Sequence, residues 1–165
     1  MILIGLGANL SSPVGGPMDT CLAALAAFPA EGITVWAVSH WYRSAPQPVS
    51  EQPWFINGVA LVTSSLSAAD LLARLHRVEE RFGRIRSVAN AARSLDLDLL
   101  AYGAEVHAGA ITVPHPRMHE RAFVLAPLAD LAPAWRHPIL GKTAAELLAA
   151  LPSDQGLERV STHDS

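Results

Sequence analysis

The chain has 165 residues, half of them apolar, with one cysteine and a formal net charge of −3, and is expected to form one domain spanning 1–165. The acidic balance argues against a nucleic-acid protein, the lone Cys21 excludes a disulfide framework, and the apolar stretches are broken by Gly, Pro or charge well short of a membrane span. Residues 1–8 read MILIGLGA, a strand rather than a signal peptide, so a cytoplasmic protein is expected.

In chain order, Ile2 to Gly7 predicts a buried strand closed by the turn Gly-Ala-Asn. Ser11 to Pro17 reads as a loop, and Met18 to Phe28 carries Leu22, Leu25 and Phe28 at helical spacing. Ile33 to Tyr42 is rich in β-branched and aromatic residues and predicts a strand. Ser44 to Pro53 holds three prolines and no apolar period, a loop of functional length. Phe55 to Thr63 predicts the next strand. Ser67 to Phe82 is the clearest helix, with Ser67 as N-cap, Leu71, Leu72, Leu75 and Val78 on one face, and Gly83 as its stop. A polar, basic segment follows, then a buried strand from Leu95 to Tyr102 interrupted by two aspartates. Ile111 and Val113 suggest a short edge strand, Ala122 to Ala129 fits strand or helix, and Thr143 to Leu151 predicts a last short helix before a loose tail. The order strand, helix, two strands, helix, strand is that of a ferredoxin-like α+β sandwich, a mainly antiparallel sheet with helices packed on its faces.

Four features carry chemistry. In Leu95-Asp96-Leu97-Asp98-Leu99 the two aspartates share one face of a strand. Paired carboxylates repel unless a cation or a shared proton relieves them, and hard oxygen donors beside a phosphate suit Mg²⁺; a solvated strand face is the plain alternative. Arg84, Arg86 and Arg93 lead into that strand. Eleven of the twelve basic residues are Arg, which a compositional bias also explains, but guanidinium is well shaped to hold phosphate. In Val113-Pro114-His115-Pro116-Arg117, followed by His119 and Arg121, the prolines restrict the backbone around His115. His115 and His119 lack the further ligands that a zinc site needs, so a His that donates to phosphate or ribose fits better. Gly5-Leu6-Gly7-Ala8-Asn9 is neither a dinucleotide fingerprint nor a Walker loop, and either close backbone approach or a plain turn explains it. Phe55 and Phe123 are candidates for the stacking wall of a flat heteroaromatic substrate.

Together, GLGANL (5–10), YRSAP (42–46), QPWFINGV (52–59), RVEERFGRIR (77–86), ARSLDLDLLAYG (92–103) and VPHPRMHERAFVLAPL (113–128) resemble 6-hydroxymethyl-7,8-dihydropterin pyrophosphokinase, in the family's order and over nearly the whole chain. The resemblance implies a ferredoxin-like fold and transfer of pyrophosphate from ATP to the hydroxymethyl pterin in folate biosynthesis, with two Mg²⁺ ions. It places the metal on Asp96 and Asp98, and the pterin on Ser44, Ala45, Pro46, Phe55, Asn57 and Phe123. ATP falls to Glu79, Arg84, Arg86, Arg93, Thr112, His115 and Arg121, and the catalytic group is Arg84, Arg93, Asp96 and Asp98. Asn57 would hydrogen-bond the pterin and Phe123 would stack on it. The expected partners are ATP and the pterin, with no nucleic acid and no membrane, and a monomer is expected. The chain departs from the family where an Arg-Trp pair usually precedes the metal strand (87–92 here), where a pocket Tyr is Phe55, and where a basic residue is Ala110. Segments 44–53 and 84–92 are expected to act as lids. Two other readings share part of the pattern: another Mg-dependent phosphoryl or nucleotidyl enzyme, which leaves Asn57 and Phe123 unexplained, and a non-catalytic ferredoxin-like binding module, which the net acidity disfavours.

Overall fold

A computed structural model describes residues 1–46, 50–83, 94–152 and 155–160. Its elements are β1 (Ile2–Ala8), α1 (Pro17–Ala27), β2 (Thr34–Val38), β3 (Tyr42–Ser44), β4 (Phe55–Thr63), α2 (Ala68–Arg81), β5 (Asp96–Tyr102), α3 (Ala122–Leu131), α4 (Ala144–Ala149) and β6 (Leu157–Arg159). The sheet runs β5-β1-β4-β3-β6, with β2 also on β4, and each recorded strand pair is antiparallel. This is the expected α+β sandwich. Among the described residues no helix is long and apolar enough to cross a membrane.

Period-2 alternation divides the core into two layers. Ile2, Ile4, Leu6 and Ala8 of β1 and Leu97 and Leu99 of β5 pack against α1, the Phe28 turn that follows it, and α2, through Cys21, Phe28, Leu71, Leu75 and Val78. Leu3, Val59 and Leu100 face the other way, onto Val124, Leu125 and Leu128 of α3. The β1–β5 register shifts between Leu3 and Ile4, the mark of a bulge. It adjoins Leu100 and Ala101, neighbours in sequence that both join the α3 layer.

The single strand expected over Ile33–Tyr42 is two. Ser39 interrupts it: its backbone N–H donates to the Val59 carbonyl at 2.9 Å, while its Oγ accepts the Val59 N–H at 2.9 Å. One side chain thus replaces one rung of the ladder, and β2 and β3 follow β4 with a break between them. Val113 forms only an isolated bridge with His107 rather than an edge strand. Residues 122–129 are helical. The helix is apolar nearly all round and contains Pro127, which blurs its period. The tail is not loose at 157–159, because β6 pairs with β3.

Candidate active site

The register sets the site. Asp96, Gly7 and Asn57 lie in one cross-strand row, and Asp98, Gly5 and Val59 in the next. These positions face α3, the layer opposite Leu97 and Leu99. A side chain on Gly7 would fill the row: its Cβ would lie 2.9 Å from Asn57 Oδ1. Close approach, not a turn, therefore explains Gly7, whereas a Cβ on Gly5 would meet Leu100 at an ordinary 3.4 Å.

Over this floor opens a cleft of about 340 Å³, lined by Ser44, Ala45, Pro46, Phe55, Asn57 and Phe123 together with Gly5, Gly7, Ser50, Gln52 and Arg121. The six positions expected to hold the pterin are thus gathered around one cavity. Asn57 and Ser44 are both buried, and the Asn57 amide donates to Ser44 Oγ. Phe55 and Phe123 supply the apolar walls, and the Arg121 guanidinium lies 5.5 Å from the Phe123 ring centroid. The Tyr42 hydroxyl donates to Asp130 on α3, tying β3 to that helix. Burial first, then the Asp130 bond, pushes the Tyr42 phenol up to about 12.

A second cleft, of about 160 Å³, lies beyond the aspartates and is lined by His76, Glu79, Ala110, Ile111, Thr112 and His115 among others. Among the described residues, Asp96 and Asp98 are the two that line both clefts. Asp98 sits between two basic side chains, with His115 Nε2 and Arg121 Nη1 each 3.9 Å from a carboxylate oxygen. His115 is nevertheless neutral near pH 7. Burial first, then the Arg121 charge, pulls its pKa down to about 4, against an opposing pull from Asp96. Its Nδ1 accepts the Arg117 N–H at 3.1 Å, so the ring proton belongs on Nε2, the nitrogen turned toward Asp98. The loop is held to the sheet by the His115 N–H, which donates to the Leu100 carbonyl at 2.8 Å.

Glu79 is 1% exposed, and its Oε2 accepts the Leu97 N–H at 2.8 Å, so it fastens α2 to β5 between the two aspartates while also lining the second cleft. Arg84, Arg86 and Arg93 lie outside the described residues, as do 87–92 and the 47–49 part of the loop expected over 44–53. The structure adds Leu72 and His76 beside Glu79, which the resemblance had already assigned to ATP. Leu72, His76 and Glu79 form an i, i+4, i+7 stripe of α2 along the second cleft, a spacing visible in the sequence. Asn9 donates to Gln52 Oε1 at 3.2 Å and to the Pro53 carbonyl at 3.1 Å, a long-range contact with no local signal.

The sequence model of the family described as 7,8-dihydro-6-hydroxymethylpterin-pyrophosphokinase (HPPK) matches residues 3–133. The chain belongs to the HPPK family. It is 42% identical over 164 residues to the 2-amino-4-hydroxy-6-hydroxymethyldihydropteridine pyrophosphokinase of Synechocystis sp., across 94% of this chain and 82% of that one. It is likewise 42% identical over 161 residues to the enzyme of the same name from Pseudomonas aeruginosa, across 96% of each. In shape it matches the crystal structure of wild-type Plasmodium falciparum HPPK-DHPS with a TM-score of 0.66 at 12% identity, over 90% of this chain and 44% of that one, a likeness of fold. The two clefts of this chain meet at a pair of carboxylates, an arrangement that can hold two reactants with their reacting ends together.

Proposed function

We propose that this chain transfers the pyrophosphate group of ATP to the hydroxymethyl oxygen of 6-hydroxymethyl-7,8-dihydropterin, giving AMP and the pterin diphosphate, a step of folate biosynthesis. The observation that carries the reading, beside family membership, is the junction of the two clefts at Asp96 and Asp98. The wider cleft takes the pterin: Phe55 and Phe123 face the ring, and Ser44 and Asn57 offer polar groups to its edge. The second cleft takes ATP, with Thr112 and His115 on its wall and Glu79 behind them. The hydroxymethyl oxygen attacks the β-phosphorus in line, the bond to the α-phosphate oxygen breaks, and AMP leaves.

The chain's share of this work is alignment and charge. His115, neutral and protonated on Nε2, donates a hydrogen bond at the junction without adding charge. Arg121 spans the pterin wall and Asp98, so it grips the transferred group where the clefts meet. Arg84 and Arg93 carry over from the family pattern as partners of the α- and β-phosphates, with Arg86 beside them. Asp96 and Asp98 fit Mg²⁺, since both are hard oxygen donors on one face of a strand at a phosphate's expected place. Two ions held there would supply positive charge to the phosphoryl oxygens. The expected working form is a monomer with ATP and the pterin as its partners.

Product analysis tests the reading. Protein mixed with ATP, Mg²⁺ and the pterin is expected to release AMP in step with pterin diphosphate, and no AMP without the pterin. ADP as the nucleotide product, or no pterin dependence, sinks it.

A further inference from the structure

Residues 155–160 lie beyond the stretch that the family model matches, yet they touch both walls of the wider cleft. Helix α3 begins at Ala122, and its first-turn N–H groups need acceptors from outside the helix. The N-cap residue normally supplies one through a short oxygen-bearing side chain. Here the N-cap is Arg121, which makes no capping bond. Guanidinium has donors only, and this one is turned to Asp98 and Phe123 instead.

Gln155 supplies what Arg121 cannot. Its Oε1 accepts the Ala122 N–H at 2.9 Å, and its Nε2 donates to the Glu120 carbonyl at 3.1 Å. The two groups belong to the two peptide bonds of Arg121, so one side-chain amide holds the backbone on both sides of that residue. Gln155 is itself held. The Gly156 carbonyl accepts the Ala45 N–H at 3.0 Å, and a Cβ on Gly156 would lie 3.0 Å from that of Ala45 and 3.2 Å from the Trp54 ring. The same two residues thus join the Ala45 wall to the Arg121–Phe123 wall.

We infer that Gln155 is a positioning residue for the reaction: it sets the backbone from which Arg121 and Phe123 reach the cleft, and through Gly156 it fixes that wall against the opposite one. The inference rests on the roles proposed for Arg121 and Phe123. Both functions of the amide are used, one as acceptor and one as donor, so Glu keeps half of the clamp and Ala none.

The test uses the full chain, with kcat and KM for both substrates, melting temperature, and exchange of the Ala122 amide by NMR. Gln155→Ala is expected to lose about 10–100-fold in kcat/KM, the scale of small misplacements. It is also expected to exchange the Ala122 amide faster. Gln155→Glu is expected to fall between that variant and the wild type. Ser67→Ala removes the N-cap of α2, whose Oγ accepts the Asp70 N–H at the helix end away from Glu79; it is expected to lower the melting temperature by about 2–4 °C, as a cap loss should, with unchanged kinetics. Wild-type kinetics in Gln155→Ala with faster Ala122 exchange would make Gln155 a helix cap alone and overturn the inference. If Gln155→Ala does not fold, Gln155→Glu decides: lower kcat/KM at unchanged melting temperature supports the inference, and unchanged kinetics overturns it. If the wild type yields no AMP, the proposed reaction fails, and binding of a non-hydrolysable ATP analogue with Mg²⁺ and of the pterin replaces kinetics. Weaker binding of either by the variant then supports the positioning role, and equal binding of both overturns it.

Discussion

A methyl group added at Gly7 would stand 2.9 Å from Asn57 Oδ1, tighter than nonbonded atoms tolerate, so the amide must turn or the strands must part. Gly7→Ala is therefore expected to raise KM for the pterin about 10-fold or more while leaving KM for ATP near its wild-type value, because Gly7 lines the wider cleft alone. Steady-state kinetics with each substrate varied in turn checks this, and an equal rise in both constants would point to general damage. The aspartates are the opposite case. Asp96→Ala is expected to cut kcat by at least about 100-fold. A melting temperature within a few degrees of the wild type would assign that loss to chemistry rather than to unfolding. A near-normal rate would take Asp96 out of the reaction. Cys21 illustrates a residue with no part in it: burial pushes its thiol up to about 12, so it is expected to resist thiol reagents in the native protein and to react only in denaturant.

At the scale of elements, one carboxylate, that of Glu79, adds a hydrogen bond between α2 and β5 to their apolar packing. Removing it in Glu79→Ala leaves the buried Leu97 N–H without that acceptor, at a cost of about 1–3 kcal/mol, whereas Glu79→Gln keeps an oxygen in place. Thermal melts are expected to rank wild type, Gln, then Ala, with activity falling in the same order because the strand between the aspartates loses its anchor. The elements differ in how plainly the sequence announces them, and the differences have physical causes. α2 buries one face at helical period, β1 and β4 are nearly continuous apolar runs, and β5 sets aspartates between leucines; with α1 and the strand expected over 33–42, their order pointed to the antiparallel α+β sheet. Asp96 and Asp98 were legible for the same reason, as polar interruptions in an apolar strand. The gap at Ser39 was not, because a serine standing in for a ladder rung shows no pattern in one dimension. Nor was β6. Leu157-Glu158-Arg159 is short, carries two charged residues out of three and is an edge strand, so its pairing is decided by β3, more than a hundred residues away. Gln155 escaped for a related reason, since its partners at 120 and 122 are backbone atoms, which carry no sequence signature.

For the molecule as a whole, acid should be the weak side of the stability profile. His137 is 4% exposed, and its Nδ1 accepts backbone N–H groups from Ile139 and Leu140 at 3.2 and 3.1 Å. Burial, then the neighbouring His119, lowers its pKa from the usual value near 6.5. The unfolded chain thus takes up the proton first. The stabilisation is fully present above about pH 6.5 and is lost as pH falls toward the folded-state pKa. His115, pulled down to about 4, adds a loss of the same sign. Melting temperatures measured from pH 7.5 to pH 5 are expected to fall, and to fall less steeply in His137→Asn; parallel curves would assign the acid loss elsewhere.

The tail strand also bears on how the enzyme is made. The ribosome adds roughly sixty residues between Asp98 and the end of β6, which takes about 3–12 s at 5–20 residues per second. For that interval a nascent chain contains the segments of β1 and β4 and both aspartates. What it lacks is the strand that joins the two walls above them. Synthesis therefore delivers both carboxylates before the pocket around them can close, and of the described strands the one that completes it is made after the others.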